Sequence, residues 1–171
     1  MSLDIFATFL NSEIKEGIVA DARERDFGNG GITPLIDLSG NRLPLQSNVE
    51  VAARLSQQIT LGNGTFDWQV LAKYRSSYFL SQFNEDNLNA LDGSTQTALE
   101  IGQTSKQEGA TTVNVGLGYS FGGDGNKYRV ELYGQNITDE VISQKSIVGA
   151  DLDLRFLNDA RTFGLRGQIN F

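Results

Sequence analysis

Acidic side chains are the most abundant chemistry-bearing residues in this chain, with 21 Asp and Glu against 14 Lys and Arg. Carboxylate oxygens gathered in a loop could bind Ca²⁺ or a basic ligand. Neither of the two acidic stretches has the spacing of an EF-hand, so solvated acidic loops are the preferred interpretation. The stretches are Glu85, Asp86 and Asp92, and then Asp139, Glu140, Asp151, Asp153 and Asp159.

The chain lacks the residue types that most often carry catalysis. The chain has no His and no Cys, which excludes a Ser–His dyad, a thiolate metal site and a disulfide scaffold. The acids Glu50, Asp67 and Glu131 lie far apart in sequence rather than as a catalytic pair. We therefore expect no enzyme activity, no catalytic or metal residues and no cofactor. The net charge of −7 argues against nucleic acid as a partner.

Other charged residues occur at alternate positions within apolar segments. In a β-strand such residues share one face. We expect them to line a hydrated interior as paired charges, and no ligand contact is assigned to any of them. They are Arg54, Lys73, Arg75, Arg129, Glu131 and Arg166.

Six segments with this alternation must position these side chains. They cover residues 3–14, 50–61, 65–78, 111–121, 127–136 and 161–171. In the last segment Phe163, Leu165, Ile169 and Phe171 share one parity, and the strand ends on an aromatic residue. A closing barrel strand, with lipid outside and water inside, explains such an ending.

The connections between segments alternate in length. Short glycine-containing turns at 62–64 and 122–126 alternate with long connections at 15–49, 79–110 and 137–160. Outer-membrane barrels have this asymmetry, with short periplasmic turns and long external loops. Aromatic residues lie where interfacial girdles are expected: Phe66, Trp68 and Tyr128 near the short turns, and Tyr74 and Tyr78 near a long loop. The pattern predicts an all-β, antiparallel, up-and-down transmembrane barrel segment of about six strands.

A soluble β-barrel or sandwich that binds a small apolar ligand is the alternative. It would bury Trp68, Val115 and Leu117 in a core, whereas a membrane barrel would expose them to lipid. No run of 18 or more apolar residues occurs, so a transmembrane helix is not expected.

Four short motifs resemble TonB-dependent outer-membrane receptors. Asn136, Thr138 and Asp139 match an Asn-Leu-Thr-Asp element, and Arg161, Thr162 and Gly164 match an Arg-Thr-hydrophobic-Gly element that opens the last strand. Upstream, Gly40-Asn41-Arg42-Leu43-Pro44 and Tyr74-Arg75-Ser76 resemble two further family elements. Ser47 replaces a frequent proline, and Gly167 replaces a larger apolar residue.

The resemblance implies a nutrient receptor of the bacterial outer membrane, typically for ferric siderophores. We expect residues 1–171 to form the C-terminal part of the barrel, without the plug domain and without most of the 22 strands of a full transporter. Met1–Phe6 has no signal-peptide character, and its strand-like pattern favours a fragment of a longer polypeptide.

The implied partners are outer-membrane lipid, the remainder of the receptor (plug and other strands), and an energy-coupling complex reached through the N-terminal part. Resemblance also implies that Phe163, Leu165, Ile169 and Phe171 form the recognition signal for the barrel-assembly machinery. The transported substrate is not predictable from these residues.

Overall fold

The computed structural model describes residues 1–20, 35–84, 89–90, 106–122, 128–149 and 152–170. All regular elements in these ranges are strands. In chain order they are β1 (Ser2–Phe9), β2 (Ile18–Ala20), β3 (Leu35–Asp37), β4 (Val49–Leu61), β5 (Gly64–Arg75), β6 (Tyr78–Phe79), β7 (Asn89–Ala90), β8 (Lys106–Gln107), β9 (Ala110–Phe121), β10 (Tyr128–Gln135), β11 (Ser143–Gly149), β12 (Leu152–Leu157) and β13 (Thr162–Ile169).

One six-stranded antiparallel sheet dominates the structure, in the order β1-β4-β5-β9-β10-β13. These are the six predicted strands, each paired with its neighbour along the chain, as in an up-and-down barrel. The sheet does not close on itself, because β1 and β13 are its two edges. The fold is therefore all-β and corresponds to a partial barrel.

The register confirms the predicted division into two faces. Leu55 lies opposite Val70, Val70 opposite Val115, and Leu132 opposite both Leu117 and Leu165. Directly opposed residues share a face, so these contacts build one continuous apolar surface. We call it the apolar face; its main members are Leu3, Ile5, Phe9, Val51, Leu55, Ile59, Phe66, Trp68, Val70, Tyr74, Val113, Val115, Leu117, Tyr119, Phe121, Tyr128, Val130, Leu132, Phe163, Leu165 and Ile169.

The apolar face is not a core. Among the described residues, the buried hydrophobic side chains are Ile36, Leu38, Tyr78, Phe79 and Leu80, all outside the six-stranded sheet. On the apolar face Phe163 and Leu165 are 69% and 70% exposed, and Leu117 is 48% exposed. A soluble sandwich would cover this surface with a second layer, and the described part of the chain provides none. The distribution favours the membrane interpretation over the soluble one.

Aromatic side chains gather on the apolar face at the end that carries the short turns. Tyr119 stacks with Phe121 at 5.8 Å between ring centroids, and Phe121 stacks with Tyr128 at 5.5 Å. Phe66 lies directly opposite Tyr119 on the neighbouring strand. The tight turn between β4 and β5 has Gly62 at φ 58°, a left-handed conformation that glycine adopts without cost. The second predicted short turn falls largely on residues 123–127, outside the described ranges.

The long connections carry short strands of their own, which the alternation pattern did not predict. β2, β3 and β7 form a small sheet, β6 pairs with β8, and β11 pairs with β12. The buried cluster of Ile36, Leu38 and residues 78–80 lies within this loop region. The loops at this end of the sheet are therefore a packed layer, which we call the loop layer.

Two predicted strand ends were wrong. The first strand ends at Phe9 rather than 14, because its partner β4 begins at Val49 and the chain beyond Leu10 leaves this register, with the Ile14 amide donating to the Asn41 carbonyl. The third ends at Arg75, and Tyr78 belongs to a separate strand with only 1% of its surface exposed. Tyr78 is thus a core residue of the loop layer and not a girdle residue. No helix in the described ranges is long and apolar enough to cross a membrane.

Candidate functional site at the junction of sheet and loops

Arg75 joins the end of β5 to the loop layer. Its Nε lies 3.2 Å from the Ser47 hydroxyl and 2.8 Å from a Glu50 carboxylate oxygen, and its Nη2 donates to the Leu45 carbonyl. The Ser47 hydroxyl in turn donates to Glu50 at 2.8 Å. Ser47 is 4% exposed. The residue that departs from the family pattern is therefore a buried polar member of this network.

Tyr78 connects the same network to the β11–β12 hairpin. The Arg75 guanidinium lies 4.0 Å from the centre of the Tyr78 ring, which is a cation–π geometry. The Tyr78 hydroxyl donates to the Ser143 carbonyl at 2.8 Å, across 65 residues of sequence. Burial raises the pKa of Tyr78 above that of an exposed tyrosine. The hydroxyl therefore remains a neutral donor throughout the physiological pH range.

Asn136 fixes the turn that follows β10. Its side-chain Nδ2 donates to the carbonyls of Glu140 at 2.9 Å and Asp159 at 3.1 Å, and its Oδ1 accepts from the Glu140 amide at 3.1 Å. Its own backbone amide donates to Asn114 Oδ1 at 2.9 Å. Asn136 has φ 48°, a conformation that Asn tolerates better than most residues, and is 6% exposed. One amide side chain therefore ties the exit of β10 to the approach of β13.

Two of the four resemblance motifs, those at 136–139 and 161–164, meet around this amide. Thr138 Oγ1 lies 3.4 Å from Asn136 Oδ1, and Asp139 forms an ion pair with Arg161 at 3.1 Å. The Thr162 hydroxyl donates to the Ala160 carbonyl at 3.0 Å. Gly164 lies under the Tyr133 ring, where an added Cβ would approach ring atoms to 2.3 Å. The geometry gives these residues roles in shaping the β10–β13 connection.

The opposite side of the sheet, which we call the polar face, carries the predicted inward charges, four of them in ion pairs with acids. Arg54 pairs with Asp4 at 2.8 Å, Arg75 with Glu50, Arg129 with Asp67, and Arg166 with Glu131 at 3.6 Å. The four pairs include five of the six predicted charges, and Lys73 has no ion-pair partner among the described residues. These contacts agree with the expectation of paired charges.

The Arg129–Asp67 pair spans a strand. Arg129 on β10 reaches across β9 to Asp67 on β5, and its Nη2 lies 2.8 Å from Asp67 Oδ2. Gly118 of β9 lies beneath the guanidinium, and an added Cβ there would be 2.2 Å from Nη2. The missing side chain of Gly118 creates the space in which the two charges meet.

A cavity of about 710 Å³ lies where the polar face meets the loop layer. Thr112, Asn114, Gln135 and Gln144 supply neutral polar groups to its wall, and Phe6 supplies an aromatic one. Its charged lining residues are Glu50, Lys73, Arg75 and Asp159. Its volume lies in the range of pockets that hold small ligands. Sequence reasoning placed Lys73 on the correct face but gave no sign of the cavity, which depends on contacts across the whole sheet.

Three of the four residues of the expected barrel-assembly signal lie where their parity predicts. Phe163, Leu165 and Ile169 all lie on the apolar face of the edge strand β13, and each is more than half exposed. Phe171 lies outside the described residues. Of the acidic stretches, Glu85, Asp86, Asp92 and Asp151 also lie outside them. The described residues contain no cluster of three or more acids able to hold a metal ion.

Comparison with solved structures identifies the fold of this sheet. The ferric yersiniabactin uptake receptor FyuA from Yersinia pestis superposes on 82% of this chain with a TM-score of 0.61 and 13% identity. The ferric preacinetobactin receptor BauA from Acinetobacter baumannii superposes on 83% with a TM-score of 0.54 and 16% identity. The chain has the fold of part of a siderophore-receptor barrel. The resemblance to TonB-dependent receptors is thereby confirmed at the level of the fold.

The similarity extends over a limited part of each receptor. This chain corresponds to 20% of the length of FyuA and 19% of that of BauA. No protein-family model and no curated protein sequence matches it.

Proposed function

We propose that this chain forms part of the barrel of a TonB-dependent receptor in the bacterial outer membrane, which takes up a scarce nutrient such as a ferric siderophore. The fold shared with two ferric-siderophore receptors supports the receptor class. The paired charges of the polar face suit a hydrated barrel interior. The cavity beside the loop layer suits ligand contact at the external end.

The exposed apolar face is the observation that carries the membrane assignment. Its side chains remain uncovered, whereas the buried apolar side chains of the described residues form a small cluster in the loop layer. Contact with lipid removes this surface from water, which stabilises it by roughly 25 cal/mol per Å². Outer-membrane lipid is therefore the first partner in the proposal.

The order of the motifs supports a C-terminal position for residues 1–171 within the barrel. The edges of β1 and β13 then pair with the remaining strands of the receptor, because unpaired backbone groups in lipid cost several kcal/mol each. The plug and the energy-coupling complex complete the proposed transport cycle through parts of the receptor that precede this segment. The fold gives no reason to assign an enzyme activity, and its structural neighbours are receptors.

An uptake experiment tests the function. The gene is deleted from the bacterium that carries it, and import of ⁵⁵Fe from a panel of ferric chelates is measured under iron limitation. We expect import of at least one chelate to depend on the gene and to stop when the energy-coupling complex is inactivated. Import that is unchanged by the deletion for every chelate would contradict the proposal.

We also propose that β13 and Phe171 act as the recognition signal for the barrel-assembly machinery. Deletion of Phe171 should lower the amount of assembled receptor in the outer membrane several-fold, while the ligand affinity of the assembled molecules stays unchanged. Quantitative immunoblotting of membrane fractions gives the amount. Asn170→Ala is the control, because it changes a polar neighbour and keeps the terminal aromatic. Equal assembly of the deletion and the control would contradict this role.

A further inference from the structure

Lys73 and Asp159 stand out among the charged residues that line the cavity. Glu50 and Arg75 pair with each other at 2.8 Å, so their charges are largely neutralised. Among the described residues, Lys73 and Asp159 have no ion-pair partner. The cavity therefore presents one uncompensated positive charge and one uncompensated negative charge.

The backbone holds these two charges apart. Lys73 lies within β5, where it is opposite Ala52 and Thr112. Asp159 lies just ahead of β13, and its carbonyl is fixed by the buried Asn136 amide. From β5 to β13 the sheet advances three strand positions, roughly 14 Å at the usual strand spacing. Neutral groups of Thr112, Asn114 and Gln135 occupy the wall between them.

The arginines closest in sequence to Asp159 and Lys73 already have partners of their own. Arg161, two residues after Asp159, pairs with Asp139. Arg75, two residues after Lys73, binds Glu50, Ser47 and the Leu45 carbonyl. Both uncompensated charges are thus available to a molecule in the cavity.

From this arrangement we infer that the cavity binds a dipolar ligand. An anionic group of the ligand, such as a carboxylate, is held by Lys73, and a cationic or N–H-donating group, such as an ammonium, is held by Asp159. The neutral amides and hydroxyls between them serve the polar middle of the ligand. This inference rests on the proposed uptake function and specifies the chemical class of the chelate.

Three ferric chelates built on one synthetic trihydroxamate scaffold test the inference. The first carries a free carboxylate and a free primary amine, the second has the carboxylate amidated, and the third has the amine acetylated. Binding of each ⁵⁵Fe chelate is measured on outer membranes that contain the full-length protein. The variants are Lys73→Gln and Asp159→Asn. Lys145→Gln and Glu16→Gln are the controls, since both residues lie outside the cavity lining.

We expect the dipolar chelate to bind wild type most tightly, with a loss of about tenfold for either modification because a charge-assisted hydrogen bond is removed. In Lys73→Gln the amidation penalty should disappear and the acetylation penalty should remain, and Asp159→Asn should show the reverse. The controls should behave like wild type. Equal binding of the three chelates, or penalties that persist in both variants, would overturn the inference alone. Failure of assembled wild type to bind any of the three, while the gene still supports import of another chelate, would overturn the inference and leave the proposed function standing.

Discussion

At the residue scale, small and buried polar groups decide how the sheet is held together. Gly118 leaves room for the Arg129 guanidinium to cross β9. The side-chain amide of Asn136 binds the backbone of both Glu140 and Asp159. Each position also depends on a partner distant in sequence, which is Asp67 for the ion pair over Gly118 and Asp159 for Asn136. A glycine inside a strand often marks a close approach, but only the geometry shows which group approaches Gly118.

Substituting Gly118 tests the strand-crossing ion pair. Gly118→Ala should destabilise the assembled protein by up to about 1 kcal/mol, because the new methyl group displaces the Arg129 guanidinium from its partly exposed ion pair with Asp67. Urea unfolding in lipid vesicles measures the change. Gly167→Ala is a matched control, because a Cβ at Gly167 meets no atom within 4 Å. It should be neutral or slightly stabilising, as removal of glycine restricts the unfolded chain. Equal effects of the two substitutions would refute the assigned role of Gly118.

The Asn136 amide gives a second prediction at this scale. Asn136→Ala should lower the free energy of unfolding by about 2–3 kcal/mol, because it leaves the Glu140 amide and the Asp159 carbonyl without their partner. Exposed Asn11→Ala provides the comparison, and it should change stability by less than about 0.5 kcal/mol. The same unfolding assay serves for both. An Asn136 variant as stable as the Asn11 variant would show that the turn does not depend on this amide.

At the element scale, the strands were predictable and the loop layer was not. Period-two alternation is local, so residues 50–61 and 111–121 revealed both their strand character and their faces. The short strands of the loop layer depend instead on distant contacts, such as that from Tyr78 to Ser143. The same limit applies to the site. Parity placed Lys73 and Arg75 correctly, whereas the network of Ser47 and the cavity itself required the assembled sheet.

A pair of lysine substitutions tests which face of the sheet contacts lipid. Leu117→Lys on the apolar face should lower the stability of the assembled protein by about 2–4 kcal/mol, because a charge near the bilayer centre is costly. Gln69→Lys on the polar face should cost far less, since its side chain would face the hydrated interior of the proposed barrel. The heat-resistant folded fraction on electrophoresis, measured in purified outer membranes, reports both. A Gln69 variant that assembles worse than the Leu117 variant would reverse the assignment of the faces.

At the scale of the whole molecule, the sheet has an apolar face, a polar face and a loop layer at one end. In the proposed receptor the apolar face contacts lipid and the polar face contacts water, while the loop layer lies at one end with its own buried cluster. The open edges at β1 and β13 leave backbone groups that further strands of a receptor would pair. The proposed receptor accounts for all these features together, and the topology it requires places the loop layer outside the cell.

Site-directed labelling of single cysteines tests that topology most directly, because the chain has no cysteine of its own. Val141→Cys places a thiol on an exposed residue of the long β10–β13 connection, and Asn63→Cys places one in the short β4–β5 turn. A membrane-impermeant maleimide is applied to intact cells that express the full-length protein, with any cysteine outside this segment replaced by serine, and then to permeabilised cells. We predict that Val141→Cys is labelled on intact cells and that Asn63→Cys is labelled only after permeabilisation. Equal labelling of both on intact cells, or labelling of Asn63→Cys alone, would contradict an outer-membrane barrel with the loop layer outside.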